Sequence, residues 1–373
     1  MYSYSKEIDR LIKGWRDEII QALRRWISVN SVAGAAEGEG QQRVANLWLD
    51  AWHRLLRNRA AVLGGVLILV LVLVGVFADV VAPYHYSEGD SVHNHMVPQW
   101  VADIMPGDMA AYTQIGDIYP LGADYLGRDL LSRIIYGVRV SLPVGFMGAM
   151  TALVIGLVYG CISGYYGGKV DNIMMRIVDI MYAFPTMLLI ILLMAFFKTS
   201  FGGNQEPGTA AYTFNQINRA VDGLLGLQGG GMLFIFMGIG VTAWMGIARL
   251  ARGQILSLKE KEFVEASHMI GARDLRIIVR HILPNIMGPI LVAITLNIPT
   301  YITTEVFLSF IGLGVDPPTP SWGSMISDGS RAIRSYPNQV LFPSIALAIT
   351  MFSFNFLGDG LRDALDPRMK GTS

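Results

Sequence analysis

The sequence predicts an all-α membrane protein built on six transmembrane helices. Composition is the first sign: 52% of the 373 residues are hydrophobic and 16% are charged, against about 25% charged in soluble domains. Spacing is the second. Six apolar runs alternate with polar segments, each near the roughly 20 residues a helix needs to cross the hydrocarbon core. The third is a charged stretch of helical pattern, Glu265–Asn285, lying between two of those runs.

The runs follow one another in a clear order. Ala60–Val81 is the first and closes at Pro83-Tyr84. Residues 83–137 form a long polar loop rich in Pro, Gly, Asp and His. Leu142–Ile162 is the second run; Ile173–Phe197, interrupted by Asp179 and Pro185, is the third. Residues 198–230 are polar and end in a glycine triplet, after which Met232–Leu250 is the fourth run. Ile286–Phe310 and Val340–Leu357 complete the set, and a polar tail follows.

Charge places the segments. Net charge is zero, so no global basic field argues for nucleic acid. Arg43, Arg54, Arg57 and Arg59 precede the first run. Arg252, Lys259, Lys261, Arg273, Arg276 and Arg280 follow the fourth, and Arg362, Arg368 and Lys370 follow the sixth. The stretch 198–230 holds only Lys198 and Arg219. The positive-inside rule therefore puts both termini and the 265–285 stretch in the cytoplasm. Arg128, Arg133 and Arg139 go against that rule; an interfacial element with snorkelling side chains would accommodate them. Cys161 is the only cysteine and lies in an apolar run, which excludes an internal disulfide framework and a Cys-based zinc knuckle.

The charged stretch reads as two short helices. Ser257-Leu-Lys-Glu260 has capping-box spacing, and Gly271 can end a helix in the left-handed conformation. From about Asp274, the residues Leu275, Ile278, Val279 and Ile282 recur at helical spacing, and Pro284 marks the entry to the fifth run. Spacing alone leaves an ordinary amphipathic connecting loop open.

Glu265-Ala-Ser, Gly271 four residues later, then His281-Ile-Leu-Pro284 resemble the "EAA" motif of permease subunits of ABC importers. Glu265, Ala266 and Gly271 match that motif; Ser267 replaces the usual second Ala, and His281 takes a position often apolar in the wider family. Arg280–Asn285 looks like the dipeptide/oligopeptide branch. Pro120–Arg133, Tyr136–Ser141, Ser309–Gly314, Ser321-Trp-Gly323 and Gly358–Pro367 are similar to the second permease of that branch. The resemblance covers roughly residues 47–369. It implies the type I ABC importer permease fold, in which the motif is the coupling helix docking on an ATP-hydrolysing subunit. Glu265, Ala266, Ser267, Gly271, Ala272 and Asp274 would make that contact. It also implies a second homologous permease, two ATP-binding subunits, an extracytoplasmic solute-binding protein and a peptide substrate.

Chemistry within the chain itself is sparse. Gly168-Lys169 is the nearest approach to a P-loop, but Ser163 stands where the first Gly belongs and Val170 where the Ser/Thr belongs. No cofactor site is expected here, so ATP and Mg would be used by the partner ATPases. Gly238-Ile-Gly240 sits inside an apolar run and reads as helix packing. No catalytic residues are expected: neither a Gly-x-Ser-x-Gly elbow nor His-Glu-x-x-His occurs. His93-Asn-His95 offers two imidazoles without a third ligand nearby, so no metal site is assigned. Nickel or another small solute remains the alternative cargo. A membrane enzyme or a self-sufficient carrier is the distant alternative, for which neither a catalytic set nor an internal repeat is visible.

Polar and small residues in the runs complete the candidates. Gly156, Gly160 and Gly164 form a stripe that permits close helix approach, either within the subunit or at the seam with a partner permease. Asn297, Thr300, Thr303, Thr304 and Glu305, with Asp179, are candidates for lining the pathway, or else a buried hydrogen-bond network. Residues 1–46 read as a cytoplasmic extension with an amphipathic helix whose opening faintly resembles zinc dipeptidases of the aminoacylase type, without their metal-binding His-x-Asp. The organisation expected is therefore this extension, a first helix with its external loop at 47–137, a five-helix core at 138–369 with the coupling helix at 256–284, and a tail at 370–373.

Overall fold

Asn58 sets the start of the first membrane helix, α1 (Arg59–Val76), by accepting hydrogen bonds from the Ala60 and Ala61 amides. This is a computed structural model, and it describes residue 21 and residues 49–104, 114–202, 206–269 and 271–365. The extension 1–46, Gln21 apart, and the tail 370–373 lie outside the described residues. Residues 58–362 form one compact unit. Met1–Arg57 with Asp363–Ser373 form another, whose described part is residue 21, the helical stretch 49–57 and residues 363–365.

After α1 come α2 (Ala78–Val81), α3 (Gln99–Ile104) and a long helix α4 (Leu130–Tyr166) with a π-helical segment at Ala152–Gly156. Helices α5 (Gly168–Ala183) and α6 (Thr186–Phe201) are bent by 84° at Phe184-Pro185. Then follow α7 (Ala210–Leu224), α8 (Met232–Leu258), α9 (Glu262–Met269), α10 (Asp274–Phe310), α11 (Trp322–Ser330) and α12 (Asn338–Leu365). Among the described residues five helices are long and apolar enough to cross a membrane, and six spans result if the bent α5–α6 pair counts as one. Among the described residues no strand forms; only two isolated bridges occur, Val97 with Ile115 and Ala123 with Asp129.

Burial ranks the helices. In the apolar window of α8, 56% is buried, against 22% for α1 and α12. So α8 is the centre of the bundle, packed on α4 and α10, and α1 presents Leu63, Val66, Leu69, Val70 and Leu73 outward, as a lipid-facing helix does.

Several boundaries differ from the sequence expectation, each for a local reason. Helix α4 begins twelve residues before Leu142, at Leu130, because Asp129 caps it, accepting from the Ser132 amide at 2.7 Å and the Ser132 hydroxyl at 2.6 Å. The three arginines there do not snorkel; they are paired. Arg128 and Arg133 lie 2.7 and 3.4 Å from the buried Asp124 carboxylate. Arg139 bridges Asp79 at 2.7 Å and donates to the Gly75 and Val76 carbonyls at the end of α1. Hydrogen bonds from Arg139, and then from Tyr136, hold the Asp79 carboxyl below the ordinary carboxylate range.

Helix α7 occupies a segment expected to be loop. Its Asp222 accepts from the Gly231 and Met232 amides at 3.1 and 3.0 Å, and Asn218 accepts from Leu233 at 3.0 Å. The start of α8 has glycine at its N-cap, so α7 supplies the caps from a distance. Asp222→Ala removes two of these acceptors and should cost about 1–3 kcal/mol, since it leaves buried amides unpaired. A thermal melt of the detergent-solubilised protein measures it, and an unchanged midpoint would show the cap to be dispensable.

Helix α8 runs on through Ser257 to Leu258, so the capping box expected at Ser257–Glu260 is not one. The Ser257 hydroxyl donates to the Gln254 carbonyl at 2.8 Å within the helix, and the next helix starts at Glu262. The second short helix expected from Asp274 and the fifth span are one continuous helix, α10. Pro284 removes an amide from it, and the π-helical segment at Ile278–Ile282 takes up the disruption.

Near the start of α12, the Gln339 side-chain nitrogen lies 2.9 Å from the Ala123 carbonyl and 2.8 Å from His95 Nδ1, and the His95 ring stacks on Tyr336. The carbonyl fixes that nitrogen as a donor, so Nδ1 is the acceptor and the ring is neutral. Desolvation lowers the His95 pKa below its ordinary 6.5. Because the unfolded chain binds the proton first, stability should be level above about pH 6.5 and fall as pH drops toward the depressed folded value. Melts between pH 7.5 and 5.5 test this. Gln339→Glu, which offers imidazolium an acceptor, should flatten the dependence.

Candidate functional site

The turn joining α9 to α10 is exposed and charged. Helix α9 packs through Val264 and Ser267, which are buried, and the Ser267 hydroxyl donates to the Phe263 carbonyl at 2.7 Å. One helical step round, Glu265 and Ala266 face outward. The helix ends because Gly271 adopts φ +78°; its amide donates to His268 and that of Ala272 to Ser267, at 2.9 and 3.1 Å. That pair of bonds is the Schellman arrangement, in which a left-handed residue satisfies the last carbonyls. A Cβ on Gly271 would meet nothing within 4 Å, so the demand for glycine is conformational.

Around this turn the surface mixes charge with large apolar groups. Met269 is 88% exposed, Leu275 72% and Val279 54%, beside exposed Glu262, Glu265 and Asp274. Hydrophobic side chains so open, rimmed by charges, mark an interaction surface. Ala272 is half-buried beneath them.

Tyr165, near the end of α4, ties the turn to the bundle. Its hydroxyl donates to Asp274 Oδ1 at 3.0 Å and lies 3.3 Å from His268 Nε2, so one side chain holds both arms of the turn. Sequence reading missed it, because a tyrosine at the end of an apolar run signals only an interface anchor. Tyr165→Phe keeps the ring and removes both polar contacts. It should leave insertion intact and loosen the turn, raising protease cleavage near Gly271 several-fold, whereas Asp274→Asn, which can still accept the bond, should be mild. Limited proteolysis of the two variants in detergent makes the comparison.

The residues named as pathway candidates do not all face the same way. On α10, Thr300 and Thr303 are exposed and Asn297 is half-buried, along one face. Thr304 and Glu305 turn into the bundle. Glu305 is fully buried, accepting from Ser141 on α4 at 3.0 Å and from Ser309 at 2.7 Å; Ser321, the cap of α11, donates on to Ser309 at 3.1 Å. Glu305 and Thr304 are therefore corrected from lining to internal bonding. The reason is their position, about 100° (Thr304) and about 200° (Glu305) round the helix from Thr303. Asp179 is exposed and paired with Arg249 at 2.6 Å. Arg249 escaped notice in the sequence because it closes an apolar run as a boundary arginine does.

The glycine stripe faces inward as well. A Cβ at Gly156, Gly160 or Gly164 would come within 2.6, 2.5 and 3.0 Å of the carbonyls of Trp244, Ala248 and Arg252. All three belong to α8 of the same chain, so the stripe is corrected from a seam between permeases to packing within the subunit. His93 and His95 point to different partners, Asp90 and Gln339. Among the described residues no group of three or more His, Cys, Asp or Glu side chains could hold a metal ion.

Comparison with known proteins gives this arrangement a family. The model of binding-protein-dependent transport system inner membrane components matches residues 152–371, from the π-helical segment of α4 through the exposed turn and beyond. The chain belongs to that family. A second model, the N-terminal TM domain of oligopeptide transport permease C, matches residues 46–98. The chain is 38% identical over 338 residues to the oligopeptide transport system permease protein OppC of Bacillus subtilis, covering 91% of this chain and 95% of that protein. It is 37% identical over 322 residues to the dipeptide transport system permease protein DppC of the same organism, covering 86% of each. Among solved structures, the MetNI methionine ABC transporter in its inward-facing form is similar at 19% identity and a TM-score of 0.46, over 64% of this chain and 98% of that one. The curated relatives are transport permeases, and the chain is a membrane transport component, not an enzyme.

Proposed function

We infer that this chain is the permease subunit of an ATP-driven importer of di- or oligopeptides, forming half of the translocation pathway. The observation that carries the reading is the turn at 262–275, exposed, rigidly capped and rich in unpartnered apolar surface, in a chain whose curated relatives carry oligopeptide and dipeptide names. A second homologous permease completes the pathway. Two ATP-binding subunits, using ATP and Mg, dock on the turns of the two permeases, and an extracytoplasmic solute-binding protein delivers cargo. The positive-inside rule supports a cytoplasmic position for the turn and both termini, in an inner or plasma membrane.

The mechanism this supports is alternating access. Closure of the ATPases pushes α9; Tyr165 passes the displacement to α4, which runs unbroken for 37 residues to the opposite end of the bundle. Hydrolysis releases the push and the pathway opens inward. The test is reconstitution of the full complex in proteoliposomes with radiolabelled tri-alanine or ⁶³Ni²⁺. ATP-dependent uptake of the peptide and not the metal is expected; uptake of the metal alone would overturn the peptide reading.

A further inference from the structure

The central helix α8 is open on one stripe only in its second half. Gly246, Arg249, Gly253 and Ser257 are exposed there while Ile247, Ala248, Ala251 and Ile255 are buried. A Cβ on Gly253 would meet nothing within 4 Å, and one on Gly246 only the Tyr182 hydroxyl at 3.7 Å. The stripe is thus the floor of a shallow groove whose wall is the last turn of α5, with Asp179 and Tyr182.

Arg249 stands in that groove in a particular state. It lies nine residues before Leu258, about 14 Å along the helix axis. Its guanidinium sits 4.1 Å over the Tyr182 ring and donates one N–H, from Nη2, to Asp179 Oδ1 at 2.6 Å. Arginine has five N–H groups in a planar fork, and a single-point pair leaves one edge of the fork for a bidentate acceptor. The side chains of Arg249 and Asp179 are 46% and 55% exposed. Lipid tails do not take a charge pair so open, so it faces a polar cavity.

A second observation at the same place agrees. The α5–α6 bend follows Tyr182 directly, and Phe184 and Pro185 at the bend are exposed, inside the apolar run 173–197. Broken backbone within a membrane segment is tolerated where it lines water or protein. Ion pair and broken helix thus open on one surface.

We propose that Arg249, braced by Asp179 and Tyr182, is a station on the translocation surface that takes the free C-terminal carboxylate of the passing peptide. The proposal rests on the peptide-importer reading and adds the group recognised. A planar carboxylate matches the open fork of Arg249; Tyr182 holds the guanidinium plane in place; Asp179 competes for the cation, so that the peptide is held briefly and released. A metal cation would find no such match.

The test uses the complete complex with its binding protein in proteoliposomes, with tri-alanine and tri-alanine amide as probes. Each variant is read against wild type with the same peptide, so that preferences of the binding protein cancel. Arg249→Gln should lower uptake of the free acid about tenfold, and of the amide less than about twofold. Arg249→Lys should fall between. A photo-crosslinking residue at position 253, on the same stripe, where a Cβ meets nothing within 4 Å, supplies the second readout. Its yield with the free acid should drop in Arg249→Gln and rise in Asp179→Asn, which frees the guanidinium. A purely structural pair predicts equal losses for both probes and the same direction in both variants, and either result overturns the proposal. Crosslinks only to lipid or to the second permease overturn it too. If the wild-type complex takes up neither probe, the peptide-importer reading itself fails, a result distinct from a wild type that transports both and a variant that does not discriminate.

Discussion

Replacing Gly160 by valine should abolish the folded permease. A Cβ there would lie 2.5 Å from the Ala248 carbonyl and 2.7 Å from the Ala251 Cβ; the first is helix backbone and the second is fixed rigidly to it, so neither can yield locally. Gly156 and Gly164, one turn either side, make the same approach to α8. Three contacts in register mean that the backbones of α4 and α8 touch over about 12 Å, and neither helix can shift to admit a side chain without losing the other two. Overpacking commonly costs 1–3 kcal/mol; against backbone on both sides the upper end or more is expected, a large fraction of the total stability of a domain. Gly160→Ala should be milder but still destabilising, and Gly223→Ala, whose Cβ would meet nothing within 4 Å, should be silent. Thermal unfolding of the purified single chain in detergent is the decisive measurement. A stripe built for a second permease would leave the isolated Gly160→Val chain as stable as wild type and harm only the assembled complex.

The same glycines show which parts of the molecule the sequence made legible. Their four-residue spacing announces a close helix approach, but spacing carries no information about which helix arrives. The apolar runs gave the spans almost to the residue where a run ends in a helix breaker, as at Gly231 before Met232 and at Pro185 inside the third run. They failed where a charge finds a partner that periodicity does not show. Arg133 and Arg139 read as solvent-seeking, yet Arg133 folds back onto Asp124 in the preceding loop and Arg139 reaches Asp79 beyond the end of α1, while the Asp129 cap starts α4 three turns before its apolar part. Helix α7 was illegible for a related reason. Its low overall hydrophobicity hid an amphipathic pattern that packs Phe214 and Val221 on the core, and it also contributes caps for α8 from Asn218 and Asp222, a tertiary bond that no local pattern encodes. In the site, Gly271 was readable because a left-handed helix end asks for glycine. Glu265 and Ala266 were readable because the motif carries them. Tyr165 and Arg249 were not, since their partners, Asp274 with His268 and Asp179 with Tyr182, become visible only when α4, α5, α8 and the turn are brought together.

The coupling turn yields the other large expected effect. Glu265 lies on the outward face of α9, and among the described residues its side chain has no hydrogen-bond or ion-pair partner. Glu265→Ala should therefore leave the stability of the permease within about 0.5 kcal/mol of wild type, as surface changes do. Gly271→Val acts differently. It forces a β-branched residue to φ +78°, a strain of about 1–3 kcal/mol. The strain is confined to the turn, because the added atoms meet nothing. The chain can relieve it by giving up the two Schellman bonds, which lets α9 rotate and carries Met269 and Glu265 out of register with whatever docks there. Loss of docking contacts of this kind is worth about 1–3 kcal/mol, or between about fivefold and about 150-fold. The double variant should reach the membrane and assemble its helices normally, yet show at least tenfold lower peptide uptake, with the ATPase no longer stimulated by the loaded binding protein. Measuring uptake and ATP hydrolysis on the same proteoliposomes separates uncoupling from misfolding: a misfolded permease would lose both in proportion to its abundance, while an uncoupled one keeps basal hydrolysis and loses transport. Undiminished uptake would mean that this surface, for all its exposed apolar area, does not transmit the ATPase stroke.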